Sequence, residues 1–182
     1  MGVLLERDSY LDRLCGLLDH IRKQPLGDLV AILRDAYQRN GTIWTLGNGG
    51  SAANSAHLAL HLTECGYAAR DLLSEGATLT ALANDHGYAK APLIALRNGA
   101  SNHDVLVAIT GSGDSPNVLS ALAEAKRKHM TTIGLLGFND GGAAAVLCDY
   151  VLHLPLREYG PIEDAHSVVI HIIATMLRGS AR

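Results

Sequence analysis

The chain has 182 residues, a net charge of −3 with its histidines neutral, 48% hydrophobic residues and only 4% aromatic ones. That length buries a sizeable core as one domain over residues 1–182, built from aliphatic side chains. The charge excludes a nucleic-acid binder that works through bulk positive charge. Three widely spaced cysteines, Cys15, Cys65 and Cys148, predict reduced, mostly buried thiols in a cytoplasm rather than a disulfide framework. The sequence has no charged-then-apolar leader and no run of about 18 apolar residues, so neither secretion nor membrane spanning is expected.

Taken in order, Leu4, Leu11, Leu14, Leu17, Leu18 and Ile21 fall at helical spacing and predict a first helix over 4–21. A second, over 26–39, turns Leu29, Ile32, Leu33 and Ala36 inward. Pro25 stands just before it, where a missing N–H costs little. These helices suit either the cover of a sheet or a partner interface.

Thr42-Ile43-Trp44-Thr45-Leu46 predicts a strand, Gly47-Asn48-Gly49-Gly50-Ser51 a turn, and the Ala-rich run to Thr63 a helix carrying His57 and His61. Strand, glycine-rich turn and helix together present free backbone N–H groups to an anion. No Lys-Ser/Thr follows the last glycine, and the sixth position from Gly47 is Ala52. The turn is therefore neither of the two nucleotide patterns, and a phosphate or sugar phosphate is the expected ligand.

Residues 68–73 predict a weak strand, 76–83 a helix, Asn84 to Gly87 a turn and 88–97 a helix with Pro92 in its first turn. Asp104 to Ile109 is the clearest strand, buried on both faces as in a parallel sheet. It runs into Thr110-Gly111-Ser112-Gly113-Asp114-Ser115-Pro116, a second glycine and hydroxyl turn with Ser115 at the N-cap of the next helix. Strands over 130–136 and 150–154, short helices, a loop over 155–161 and an apolar helix over 162–178 complete the chain. The alternation predicts an α/β fold with a parallel sheet of about five strands. Ligands bind beyond the C-terminal ends of such strands, so both glycine turns converge on one pocket.

His57 and His61, four apart, share a helix face. Glu163 and His171 sit roughly 80° past two full turns from one another and about 12 Å apart along the axis, on neighbouring faces. His166 points elsewhere. His20, His86, His103, His129 and His153 read as structural or surface residues.

These stretches resemble the sugar isomerase (SIS) domain, and within it the phosphoheptose (sedoheptulose 7-phosphate) isomerase group and its non-catalytic relatives. The matching motifs are Gly47 to Ala53, the helix from His57, Asn84-Asp85, Ile109 to Val118, and Ile162 to His171. The resemblance implies a three-layer sandwich and a homotetramer with pockets between subunits. It implies a first substrate loop at Asn48, Gly49, Gly50 and Ser51. Sugar-hydroxyl contacts fall at Asn84 and Asp85, and a phosphate loop at Thr110, Gly111, Ser112 and Ser115. His57 falls on a zinc ligand, and His171 on a histidine that is both ligand and acid/base. Glu163 falls on a glutamine that contacts zinc and substrate.

Several residues depart from the group. His61 stands where the group has its catalytic glutamate, Gly111 replaces a hydroxyl, Asp114 an asparagine and Gly160 an aspartate. The loop Glu64-Cys65-Gly66 is short and lacks an arginine often found there.

An aldose–ketose isomerase needs a base, an acid and stabilisation of an enediol, and a metal supplies the last. Histidine at position 61 keeps a basic group there. The leading expectation is an isomerase of sedoheptulose 7-phosphate holding Zn2+ on His57, His61, Glu163 and His171, with His61 or His171 moving the proton. Four ligands would close the site and make the metal structural. A non-catalytic phosphosugar or protein-binding regulator, and an isomerase for another sugar phosphate, are the alternatives.

Overall fold

The computed structural model describes residues 2–138 and 140–179, with side chains from Glu6 onward. Leu4, one of the residues at helical spacing, lies outside the described side chains. The strands are β1 (Ile43–Leu46), β2 (Ala69–Asp71), β3 (Val105–Thr110), β4 (Thr131–Leu136) and β5 (Tyr150–His153). They form one parallel sheet in the order β2-β1-β3-β4-β5, as the five-stranded expectation required. The helices are α1 (Gly2–Ile21), α2 (Leu26–Gln38), α3 (Gly50–Glu64), α4 (Gly76–His86), α5 (Ala91–Gly99), α6 (Pro116–Arg127), α7 (Gly142–Leu147) and α8 (Tyr159–Arg178).

Side chains alternate across a strand, so each strand feeds both faces. Every residue of β3 is buried. Val105, Val107 and Ile109 join α1, α2, α3 and α8 on one face, around Leu33, Leu58, Leu62, Val169 and Ile173. Leu106 and Ala108 join α5, α6 and α7 on the other, around Leu96, Val118, Leu122 and Ala144. The two leading helices therefore cover the sheet. Register places Ile43 opposite Val105, and Val107 opposite Ile133.

One buried carboxylate ties the starts of the two central strands. Asp104 accepts hydrogen bonds from Trp44 Nε1 at 2.8 Å, Thr42 N at 2.9 Å and Ser101 N at 3.0 Å. Burial alone would push its pKa up. The bonds from Trp44, Ser101 and Thr42 outweigh that and hold it below the usual range.

Some boundaries differ from the sequence reading. Asn84, Asp85 and His86 are the last turn of α4 rather than a turn after it, and Gly87 ends the helix with φ 84°. A glycine takes that angle without strain, so the break falls there and not at the Asn-Asp pair. Tyr159, Gly160 and Pro161 open α8 instead of closing a loop. Proline is tolerated there because first-turn N–H groups have no helical partner. Gly160 thus lies inside the helix, where a Cβ would come within 3.1 Å of the Tyr10 hydroxyl. That hydroxyl donates to Asp164 Oδ2 at 2.6 Å and fixes α1 on α8. The bond, burial and the Asp164 charge push the Tyr10 pKa up to about 12. Leu11 is half exposed, because the inward stripe of α1 passes through Leu14, Leu17 and Ile21 instead. Cys15 is exposed and Cys65 and Cys148 are half-buried, so the thiols are free but less buried than expected.

His166 sits in the inward stripe of α8 and is fully buried. Neither ring nitrogen meets a partner at hydrogen-bond geometry. Burial drives its pKa down from 6.5 to about 4, and the Leu136 backbone opposes this only in part. The folded state thus resists a proton that the unfolded chain accepts. Stability is intact above pH 6.5 and is lost as pH falls towards 4, by about 2–3 kcal/mol at pH 4.5. Urea titrations at pH 7 and 4.5 should show that loss, and His166→Leu should reduce it by the same amount. An unchanged pH dependence in the variant would assign the acid sensitivity to other groups.

Candidate active site

After β1 the chain turns to α3 on one face of the sheet, and after the adjacent β3 it turns to α6 on the other. Neighbouring strands whose helices depart to opposite faces open a crevice at their C-terminal ends. The two glycine turns border it, and the N-termini of α3 and α6 direct unpaired N–H groups towards it.

A side-chain pair joins the turns. Asn48 Nδ2 donates to Asn117 Oδ1, and Asn117 Nδ2 donates to Asn48 Oδ1, both at 2.8 Å. Tyr88 adds a bond to Asn48 Oδ1 at 2.7 Å. Tyr88 stands just beyond α4, whose last turn carries Asn84 and Asp85. These two are exposed, and Asn84 Nδ2 donates to Asp85 Oδ1 at 2.9 Å. Ser51 is buried in the first turn of α3, while Gly49 and Gly50 are exposed.

The second turn is shaped by its own hydroxyls. Thr110 Oγ1 accepts from Gly113 N at 3.2 Å, and Ser112 Oγ accepts from Asp114 N at 3.3 Å. Ser115 takes the N-cap position of α6, but its hydroxyl makes no capping bond. Asp114, the extra negative charge, accepts from Ala143 N at 2.9 Å and so is committed to the start of α7. Gly111 faces the ring of Tyr159, and a Cβ there would meet that ring at 2.9 Å. The Tyr159 ring in turn rests on Phe138 with centroids 4.9 Å apart.

α3 and α8 pack side by side in the same direction: Asn54 bonds the Glu163 carbonyl, His57 and His61 meet His171, and Glu64 meets Arg178. Two separate features lie along this seam. At its head, the Glu163 carboxylate occupies the space a Cβ at Gly50 would take, so a larger residue there would displace that carboxylate. About two turns further, roughly 10 Å by helical rise, the three imidazoles converge. Their centroids are 4.5, 4.9 and 5.3 Å apart, and one nitrogen of each lies within 4.8 Å of the others. Among the described residues, Glu163 is not part of this group. The eight-residue spacing places it at the crevice and His171 at the trio.

The trio fits a cation on its own evidence. His61 Nε2 is buried with no partner. Burial, then repulsion from His61 and His171, lowers the His57 pKa and favours its neutral, lone-pair form. His61 Nδ1 faces Glu64 Oε2 at 3.1 Å. Bonding from His61 holds the Glu64 carboxyl below its usual range.

Asn117, Tyr88 and Arg178 were not singled out from sequence, and Glu64, read there as the start of a loop, is the last residue of α3. Asn117 had a local signal, an amide two residues past Ser115 of the hydroxyl-rich loop; Arg178 had none, since its partners lie on another helix. His20 and His153 are structural: His20 Nε2 lies 3.0 Å from the His153 carbonyl, and His153 Nε2 lies 2.7 Å from that of Phe138.

A parallel sheet with helices on both faces and a crevice at the strand C-termini defines an α/β sandwich domain. Residues 9–137 match the family model described as SIS domain. The phosphoheptose isomerase of Pelobacter propionicus is 35% identical over 158 residues, covering 84% of this chain and 83% of the relative. That of Solidesulfovibrio magneticus is 37% identical, covering 78% and 72%. The structure of a phosphoheptose isomerase from Neisseria gonorrhoeae superposes with a TM-score of 0.90 at 29% identity, covering 98% of this chain and 97% of that one. One from Francisella tularensis gives 0.92 at 25% identity, covering 98% and 100%. The chain belongs to the SIS domain family.

Asn117→Ala removes the two amide bonds to Asn48 and leaves the one from Tyr88. It should lower stability by about 1–3 kcal/mol and weaken inorganic phosphate or sugar phosphate binding several-fold in calorimetry. Unchanged affinity with reduced stability would restrict the pair to a structural role.

Proposed function

We propose that the protein interconverts sedoheptulose 7-phosphate and an aldose heptose 7-phosphate through an enediol. One observation carries this reading. An anion-type crevice and an imidazole trio share α3, roughly 10 Å apart along its axis. The relatives named phosphoheptose isomerase match over most of their length, which supports the same substrate class.

In this reading the phosphate rests on the helix N-termini and on Thr110, Gly111, Ser112 and Ser115, with Asn48, Gly49, Gly50 and Ser51 opposite. Asn84, Asp85 and Glu163 take sugar hydroxyls. A base removes a C1 proton while the C2 carbonyl oxygen gains one, giving the enediol. A proton then returns to C2 as the C1 hydroxyl loses its own, so atoms and charge balance. His171, the exposed imidazole, is assigned to move the proton. His57 and His61 are the holders of a Zn2+ ion, and His171 is within reach of the same ion. Zinc, when bound, supplies polarisation of the carbonyl oxygen. Glu163 stands at the crevice instead of with the trio, which leaves room for an open coordination position.

Exposed apolar side chains on α3 and α8, Leu60 and Val168, support a homotetramer with the pocket at a subunit interface. The free thiols support a reducing cytoplasm. No helix among the described residues is long and apolar enough to cross a membrane.

NMR of purified protein with sedoheptulose 7-phosphate, with and without added zinc, should show a new aldose signal. His171→Ala should slow it at least about 100-fold, and Glu163→Gln less than tenfold. Absence of turnover with retained sugar phosphate binding would replace the isomerase with a phosphosugar-binding regulator. Loss of turnover in the Glu163 variant but not the His171 variant would move the base to the carboxylate.

A further inference from the structure

We propose that Glu64 and Arg178 are positioning residues that fix the His61 ring so that its Nε2 lone pair points into the imidazole trio. The inference rests on the metal reading of that trio. His61 and Glu64 are three apart on α3 and share a face. Arg178 is seven residues, nearly two whole turns, past His171 on α8. The pair therefore sits about one turn below the trio on the same seam.

The shorter contact at His61 Nδ1 is the one to the carboxylate, which favours one tautomer. Glu64 Oε2 lies 2.8 Å from Arg178 Nη2 and 3.1 Å from His61 Nδ1, whereas Arg178 Nη2 lies 3.3 Å from His61 Nδ1. A guanidinium only donates and a carboxylate only accepts. Arg178 thus gives its N–H to Glu64, and the His61 Nδ1–H donates to the same oxygen. The other nitrogen is left as an acceptor. That nitrogen, Nε2, is the buried atom without a partner, and one ligand atom of His61 lies within 4.8 Å of those of His57 and His171. A carboxylate behind a ligating imidazole is the arrangement that fixes ring orientation and raises ligand basicity.

Two further observations favour positioning over simple pairing. Glu64 and Arg178 are about half exposed, with side chains 49% and 52% accessible, so their ion pair alone contributes little. Glu64 also ends α3, where the helix dipole opposes a negative charge. Its location is accounted for by what it holds.

Two measurements test this. In metal-free protein, above the pH at which the histidines are protonated, 15N spectra of the imidazoles should show His61 Nδ1 protonated and Nε2 unprotonated. Glu64→Ala should mix the tautomers. In competition with a chromophoric chelator, Glu64→Ala should weaken zinc binding about 10–100-fold and Arg178→Ala less. The double variant should be no weaker than Glu64→Ala, because Arg178 acts through Glu64. Wild-type tautomer and zinc affinity in Glu64→Ala would overturn the proposal. Failure of the metal reading has a different signature: wild-type protein takes up no zinc while the ring spectrum still reports the Glu64-dependent tautomer. That result would support the positioning and overturn the metal reading alone.

Discussion

The packing of α3 against α8 is the constraint on which the site depends. The two helices follow different strands, β1 and β5, yet run in the same direction on one face of the sheet. The bond from Asn54 to the Glu163 carbonyl sets their register at the head of the seam. Leu58 and Leu62 share the buried cluster with Ala165, Val169 and Ile173. Truncating one such buried leucine would cost about 2–5 kcal/mol, more than any single polar contact along the seam. The apolar contacts hold the helices together, and the register decides which polar groups meet. A slip of one residue would turn His171 about 100° away from His57 and His61.

The altered loop residues make sense against this frame. Asp114 would be unfavourable beside a phosphate if its carboxylate faced the crevice. It caps Ala143 instead, so the charge is spent on α7. Gly111 gives up a side chain where the Tyr159 ring lies. The site thus exchanges a small group on the loop for an aromatic wall from the first turn of α8, supported by Phe138. Both changes are local, and neither disturbs the paired amides of Asn48 and Asn117 that hold the two turns together.

Strands, layers and the two glycine turns were legible in the sequence, because hydrophobic runs and turn chemistry are local signals. The α/β class followed from their alternation, and the convergence of the turns followed from parallel strands. What remained hidden depends on pairs of elements. Helical arithmetic placed Glu163 and His171 on neighbouring faces but could not say that Glu163 meets Gly50 while His171 meets His57. His166 looked like one more histidine until its stripe on α8 was found to face the sheet. The Asn84-Asp85 pair read as a turn because such residues often make local side-chain bonds; Gly87, with its positive φ, set the true end. Arg178 carried no local signal at all, since its partners are 114 and 117 residues away.

The charge pattern along the seam divides the work between backbone and side chains. At the head of α3, partial positive charge comes from aligned peptide dipoles, which need no cationic side chain and stay in place at any pH. Two turns on, burial and neighbouring imidazoles favour the neutral form of His57, so this end presents lone pairs rather than a second positive field. Glu64, held by Arg178, orients His61 without leaving an uncompensated negative charge beside it. In the proposed reading the two ends suit opposite ligands: backbone donors for an anion at the crevice, ring acceptors for a cation at the trio. A sugar phosphate satisfies the first. The proposed zinc would satisfy the second, and the buried Nε2 of His61, which has no partner within the protein, is the acceptor that supports this proposal.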